Sequence, residues 1–221
     1  MYPHRIRLRG PWDCELIDAE RRTPRRVLMP CRWADAGLAG IRGPARFSRK
    51  FGYPGKADPD LEHIWLICDG CTGCREIHLN GFRLAESADE SFAFDVSRLL
   101  AARNQLDVTI QGNGDECGLW GDVFLEIRKD AYIHNARAER AGQGLVVTGQ
   151  VIGAAPAALE LYTLVDGRHA DYRVIAPSEA GTSFRIELAD VPSGAETVRV
   201  ELIHISEVWY VVELPISGWH A

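Results

Sequence analysis

The stretch IWLICDGCTGCREIHLNG, residues 64–81, decides how the chain is read. It carries Cys68, Cys71 and Cys74, each three residues after the last, inside a segment whose apolar residues otherwise alternate as in a β-strand. The thiols are either metal ligands or small apolar fillers. A metal site needs three or four thiolates converging on one ion, with Cys117 or Cys14 completing the set of Cys68, Cys71 and Cys74. An iron–sulfur run of this spacing continues with a further Cys before Pro, which this chain does not have. In an extended chain, side chains three residues apart face opposite sides, which works against a shared ion. The expectation is a strand ending at Asp69-Gly70, a turn at Thr72-Gly73, and a returning strand that points Ile77 and Leu79 inward. The cysteines then serve as small hydrophobes, and no metal is expected.

Working outward, strand signals dominate. HRIRLRG, ARFSRKFGYP, EHIWLIC and NQLDVTIQG share the period of two and end at Gly, Pro or Cys. Only SRLLAARN, residues 97–104, reads as helical, and it is barely two turns long. From residue 131 the pattern becomes regular, with seven candidate strands at 132–139, 145–152, 159–165, 170–175, 183–188, 197–203 and 208–214. Gly- and Pro-rich breaks separate them, which fits an immunoglobulin-like β-sandwich held by packing alone, since all six cysteines lie at or before Cys117. Residues 127–135 mark the expected boundary, so the reading is all-β: one domain over 1–130 and a second over 131–221.

The chain has 221 residues, 46% of them hydrophobic and 25% charged, with a formal net charge of −6. That balance is of a globular protein and argues against nucleic acid as partner. The arginine run at 21–26 reads as a solvated hairpin loop around Pro24. No apolar run approaches the ~20 residues of a membrane span, so no membrane partner is expected. The N-terminus shows no apolar leader core, so a cytoplasmic location with free thiols is expected. The seven histidines show no metal-binding spacing, and neither a Gly-x-Ser-x-Gly elbow nor a phosphate-cradling glycine loop occurs.

Several segments, taken in order, resemble the N-terminal jelly-roll sugar-binding domain of family 2 glycoside hydrolases, the β-galactosidases, β-glucuronidases and β-mannosidases. They are LRGPWDCEL (8–16), GPARFSRKFGYP (43–54), CDGCTGCREIHLNG (68–81), SFAFDVSRLLAARNQLDVTI (91–110) and CGLWGDVFLEI (117–127). The resemblance implies a galactose-binding-like jelly roll followed by the family's immunoglobulin-like domain. It also implies that Cys68, Cys71 and Cys74 take places filled in the family by aromatic or small apolar residues. Family enzymes hydrolyse glycosides with two glutamates on a (β/α)₈ barrel of ~250 residues that follows these domains. Nothing in this sequence alternates strands with long helices, and no two acidic residues stand out as a pair. The expectation is therefore not an enzyme but a non-catalytic carbohydrate-binding or glycosidase-accessory protein. The rivals are a structural or assembly module and a fragment of a longer family 2 hydrolase.

A sugar site needs an aromatic plane and hydroxyl partners. NGDECGLWGD, residues 113–122, offers both: Trp120 for stacking, Asp115, Glu116 and Asp122 as acceptors, and Asn113 as donor and acceptor. In the family the loop before this strand supplies an acidic residue to the sugar, and Asp115 or Glu116 is the nearest counterpart; where the family often has an arginine before Asp-Val, this chain has Gly121. Trp12 and Trp65 read as core, Trp33 as a loop aromatic or a plug, and Asp69 and Asn80 as turn formers. Trp209 and Tyr210 alternate, so one of them is expected to face outward as an interdomain or subunit contact, with a protein partner or a second copy in the latter case. No cofactor is required. Calcium is compatible with a jelly roll, although no Asp-rich loop of the needed density is visible.

Overall fold

The computed structural model describes residues 3–17, 24–56, 58 and 60–216, and it divides into two compact units. The described parts of 5–59 and 63–127 form one; the other is built on 128–216.

The first unit is a curled antiparallel sheet. Its strands are β1 (His4–Arg7), β2 (Trp12–Leu16), β3 (Arg25–Val27), β4 (Cys31–Arg32), β5 (Gly43–Gly52), β6 (Glu62–Leu79), β7 (Phe82–Ala85), β8 (Ala88–Asp95), β9 (Arg103–Gly112), β10 (Gly118–Leu119) and β11 (Val123–Lys129). The main order is β1-β11-β6-β9-β5-β2-β3, with β7, β8 and β10 also pairing β6. The β2–β3 pairing sets Arg26 across from Asp13, so Arg25 and Arg26 lie in a strand; 21–23 of the arginine run lie outside the described residues.

The expected hairpin at Asp69–Gly73 does not form. Residues 62–79 are one strand, interrupted by register shifts between Cys68 and Cys71, between Cys71 and Cys74, and between Cys74 and Glu76. Each extra residue inverts the alternation of side chains. Inward positions therefore run Ile64, Leu66, Cys68, then Cys71, Cys74, Ile77 and Leu79, all of them buried. The three thiols share one face, contrary to the alternation argument, because the strand is not regular where they sit. Asp69 is accordingly a mid-strand residue and not a turn former, its N–H donating to the Asp122 carbonyl at 3.0 Å.

Gly73 shows why the run needs glycine. Its φ is +77°, and a Cβ there would lie 2.7 Å from the Gln111 carbonyl oxygen of β9 and 3.3 Å from Cys117 Sγ. Around this spine the core packs Trp12, Trp33, Phe47, Leu106, Ile110 and Leu119. Trp33 is a buried plug: its ring occupies the space a Gly112 side chain would need, and its Nε1–H donates to the Ile41 carbonyl at 2.9 Å. Trp65, expected in the core, is only half-buried. The helix expected over 97–104 is absent. A turn closed by Leu99 N–H to the Val96 carbonyl, 2.9 Å, leads straight into β9, because so short a segment cannot repay helix nucleation while Asn104 takes a ladder place opposite Phe51. A single wide helical turn at Ala34–Leu38 was not expected from the pattern.

The second unit contains β12 (Ala131–Ala141), β13 (Gly144–Gly153), β14 (Leu159–Val165), β15 (Arg168–Ile175), β16 (Thr182–Leu188), β17 (Thr197–His204) and β18 (Glu207–Pro215). Each overlaps one of the seven strands expected here. They form sheets of order β12-β13-β16 and β15-β14-β17-β18, an immunoglobulin-like two-sheet topology. Val147, Leu161, Ile186, Val198, Val200 and Leu202 fill the space between them. Trp209 and Tyr210 are both buried, 1% and 6% exposed, so neither serves as the expected outward contact. The register shift opposite Leu202 and Ile203 leaves Trp209 as the extra residue, and alternation fails there. Tyr210 packs against Tyr132, whose ring also carries the buried Arg128 guanidinium at 3.6 Å. Buried Lys129 pairs with Glu207 at 3.2 Å.

Replacing Gly73 by alanine forces a side chain into left-handed backbone against the Gln111 carbonyl. The expected loss is about 1–3 kcal/mol of stability, read as a lower urea midpoint at unchanged slope.

Candidate functional site

The residues proposed from sequence lie around the β10–β11 turn, where the chain meets the bulged part of β6. Gly118 pairs with Thr72 of β6 and with Arg32 of β4, and Leu119 pairs with Cys31. Gly121 N–H donates to the Gly70 carbonyl at 2.8 Å. These bonds fix Trp120 between them. Its ring lies on the backbone of Gly70, occupying the space any side chain there would need. Its Nε1–H donates to Thr72 Oγ1 at 3.0 Å. The Arg32 guanidinium carbon lies 5.7 Å from the ring centroid, within cation–π range. The indole is 38% exposed, so it is a held plate and not a free surface aromatic.

The five sequence-predicted residues do not form one cluster. Glu116 joins Trp120 through Arg32, with which it makes an ion pair. Asp115 turns toward the helical-turn loop, where its Oδ1 accepts the Gly40 N–H at 3.4 Å. Asp122 faces β1 and pairs with Arg7 at 3.1 Å. Asn113 is exposed in the loop that follows β9. Beyond Asp122 the charges continue: Arg5 pairs with buried Glu126 at 2.8 Å. Burial raises the Asp69 carboxyl above its ordinary range; Arg5 lowers it, and Asp122 and Glu126 push it up. The site thus has two lobes, Trp120–Arg32–Glu116–Thr72 and Asp122–Arg7–Asp69.

Sequence reasoning missed Arg32, Thr72, Arg7 and Asp69 as site residues, because three come from strands remote in the chain and Asp69 resembled a turn former. Gly70 inside a strand was a readable sign that another group approaches closely there.

Among the described residues no group of three or more His, Cys, Asp or Glu is arranged to hold a metal ion, and Cys68, Cys71, Cys74 and Cys117 are buried and unbridged. No helix among the described residues is long and apolar enough to cross a membrane. A cleft of about 670 Å³ opens on the second unit beside Asp166, Asp171 and Glu187. Three of its four acids are engaged: Asp166 Oδ1 accepts the N–H groups of Glu196 and Thr197, at 3.2 and 3.0 Å, Asp171 pairs with Arg173, and Glu187 pairs with Arg185; Asp190 is the fourth. Arg140 holds the adjoining loop through the carbonyls of Pro192, Ser193 and Ala195. This cleft is a seam between tied loops, and the Trp120 region remains the better candidate.

No protein-family model matches the chain, and neither does any curated protein sequence. Solved structures do. An FMN-binding β-glucuronidase from Facaelibacterium prausnitzii L2-6 superposes with a TM-score of 0.74 at 16% identity, over 97% of this chain and 39% of its own. A putative β-galactosidase from Bacteroides fragilis gives 0.75 at 14%, over 99% and 41%. A glycosyl hydrolase family 2 member from Bacteroides cellulosilyticus DSM 14838 gives 0.73 at 14%, over 96% and 36%. The likeness is one of fold. The chain resembles family 2 glycosidases along nearly all its length, yet spans only about two fifths of theirs.

Gly70→Ala displaces the indole from its seat. The expected result is a red-shifted tryptophan emission component that is absent from the double variant Gly70→Ala/Trp120→Phe.

Proposed function

We propose that this chain is a non-catalytic carbohydrate-binding module of family 2 glycosidase architecture, which holds a β-linked sugar against Trp120. The observation that carries the reading is the immobilised indole, seated on Gly70 and tethered to Thr72, with the Arg32–Glu116 pair beside it. A sugar ring offers a C–H face to an aromatic plane and hydroxyls to charged partners, and charge-assisted hydrogen bonds are stronger than neutral ones. A plate already fixed in the free protein saves the ordering cost of binding. Glu116 and Asp115 are the hydroxyl acceptors nearest in the chain to that lobe, with Asn113 adjoining, while Asp122 serves the second lobe. The module then acts within or beside a glycosidase and does not itself turn over glycosides.

The rival reading, a protein-interaction module, has lost the contact it was expected to use at Trp209 and Tyr210. Tyr172 and Val174 of β15, 45% and 61% exposed, are the side chains that favour it.

A calorimetric screen of β-linked oligosaccharides tests the first reading. Millimolar to micromolar binding is expected, weakened at least tenfold by Trp120→Ala and less by Asn113→Ala, with no release of aryl glycosides. An absence of binding to every sugar, or binding indifferent to Trp120, overturns it.

A further inference from the structure

The thiols of β6 have a use that filling space does not require. In a regular strand, residues three apart are separated by roughly 10 Å and point to opposite sides. Here Cys68, Cys71 and Cys74 sit opposite Phe92, Glu90 and Ala88 of β8. Three residues of β6 therefore span only two of β8, so successive cysteines advance only about 6.7 Å along the ladder, a lower bound on their Cα separation, with side chains on one face. That lower bound falls at the upper end of the range a disulfide bridges, about 4.4–6.8 Å. The Cys68 Sγ–H donates to the Gly70 carbonyl at 3.3 Å and the Cys71 Sγ–H to the Ala88 carbonyl at 3.7 Å, and all three residues are at most 2% exposed. Cys71 is thus the middle member of two overlapping Cys-x-x-Cys pairs, Cys68-Asp69-Gly70-Cys71 and Cys71-Thr72-Gly73-Cys74.

We infer that Cys71 is a covalent modification site, a shared thiol that forms a reversible disulfide with either Cys68 or Cys74 when the protein meets a peroxide or a glutathione disulfide. The electrostatics agree with Cys71 as the attacking group. Contact with the Cys68 and Cys74 thiols holds its thiol below the ordinary range against the opposing effect of burial, whereas Cys68 is pushed above it. Burial drives Cys14 and Cys31 to about 12 and about 11, which leaves them inert by comparison. With hydrogen peroxide, Cys71 sulfur attacks one oxygen, the O–O bond breaks, and water leaves with the thiol proton. The neighbouring thiol then attacks the resulting sulfenic sulfur and a second water leaves, so two thiols and one peroxide give one disulfide and two waters. With glutathione disulfide, two exchange steps release two glutathione thiols. Access comes through β8, which among the described residues pairs only with β6 and can open locally at the edge of the sheet.

The test treats the intact native chain with hydrogen peroxide or glutathione disulfide, then counts thiols after denaturation and maps cross-links by differential alkylation and mass spectrometry. The count is expected to fall from six to four, with Cys71 joined to Cys68 or Cys74, and to return to six with dithiothreitol. Cys68→Ser is expected to leave only the Cys71–Cys74 link, and Cys71→Ser to abolish both. The peptide map of the unmutated chain decides the matter even where a variant fails to fold. Six surviving thiols, a link between Cys14 and Cys31, or over-oxidation without a link overturns the inference.

Discussion

Most of the first unit depends on one constraint: β6 must keep an inward face while gaining an extra residue three times in succession. Each gain inverts the side-chain alternation, so the inward positions fall at steps of three from Cys68 to Ile77, before and after which they fall at steps of two. At the first two shifts the inward positions are cysteines and each of the two contains a glycine, while larger side chains, such as Arg75 and Glu76 at the third, are exposed. The same irregularity lets β6 pair with β8, β9, β10 and β11 along its length. It also makes room at Gly70 for the Trp120 ring and at Gly73 for the close approach of β9.

The candidate site around Trp120 is a consequence of that strand. Trp120 has a fixed orientation because Gly70 gives it a seat, Thr72 accepts its N–H, and Gly121 holds the turn against β6. The charges around it are mostly exposed ion pairs, individually worth little to stability. Their value lies in presenting carboxylates and guanidinium groups near an aromatic plane. The second unit shows the contrasting design: strands in near-regular register around a largely apolar centre, with ion pairs such as Arg173–Asp171, Arg185–Glu187 and Arg199–Glu201 spaced two residues apart along single strands.

How far the sequence could be read follows from where it was regular. The seven strands from residue 131 onward were legible because alternation there is interrupted only at tight turns. The bulge at Trp209 broke that alternation and with it the expectation of an outward aromatic. In the first unit, the ends of β5 and β9 were legible for the same reason, whereas the bulges of β6 were not. A strand with bulges and a strand–turn–strand share the same Gly-rich composition, and only the partners β8 and β9 distinguish them. The site was half legible: Trp120 and Glu116 were found in one run, but Arg32, Thr72 and Arg7 come from strands distant in the chain.

By itself, then, the sequence determined an all-β chain, the likeness to family 2 glycosidases, and the burial of the thiols, because composition and hydrophobic period reflect local backbone preference. The tertiary structure decided that the three thiols share one face, that the indole is seated on a strand, and which charges pair. Those features depend on register between strands far apart in the chain, and a one-residue slip in pairing inverts a face without any change in the local pattern.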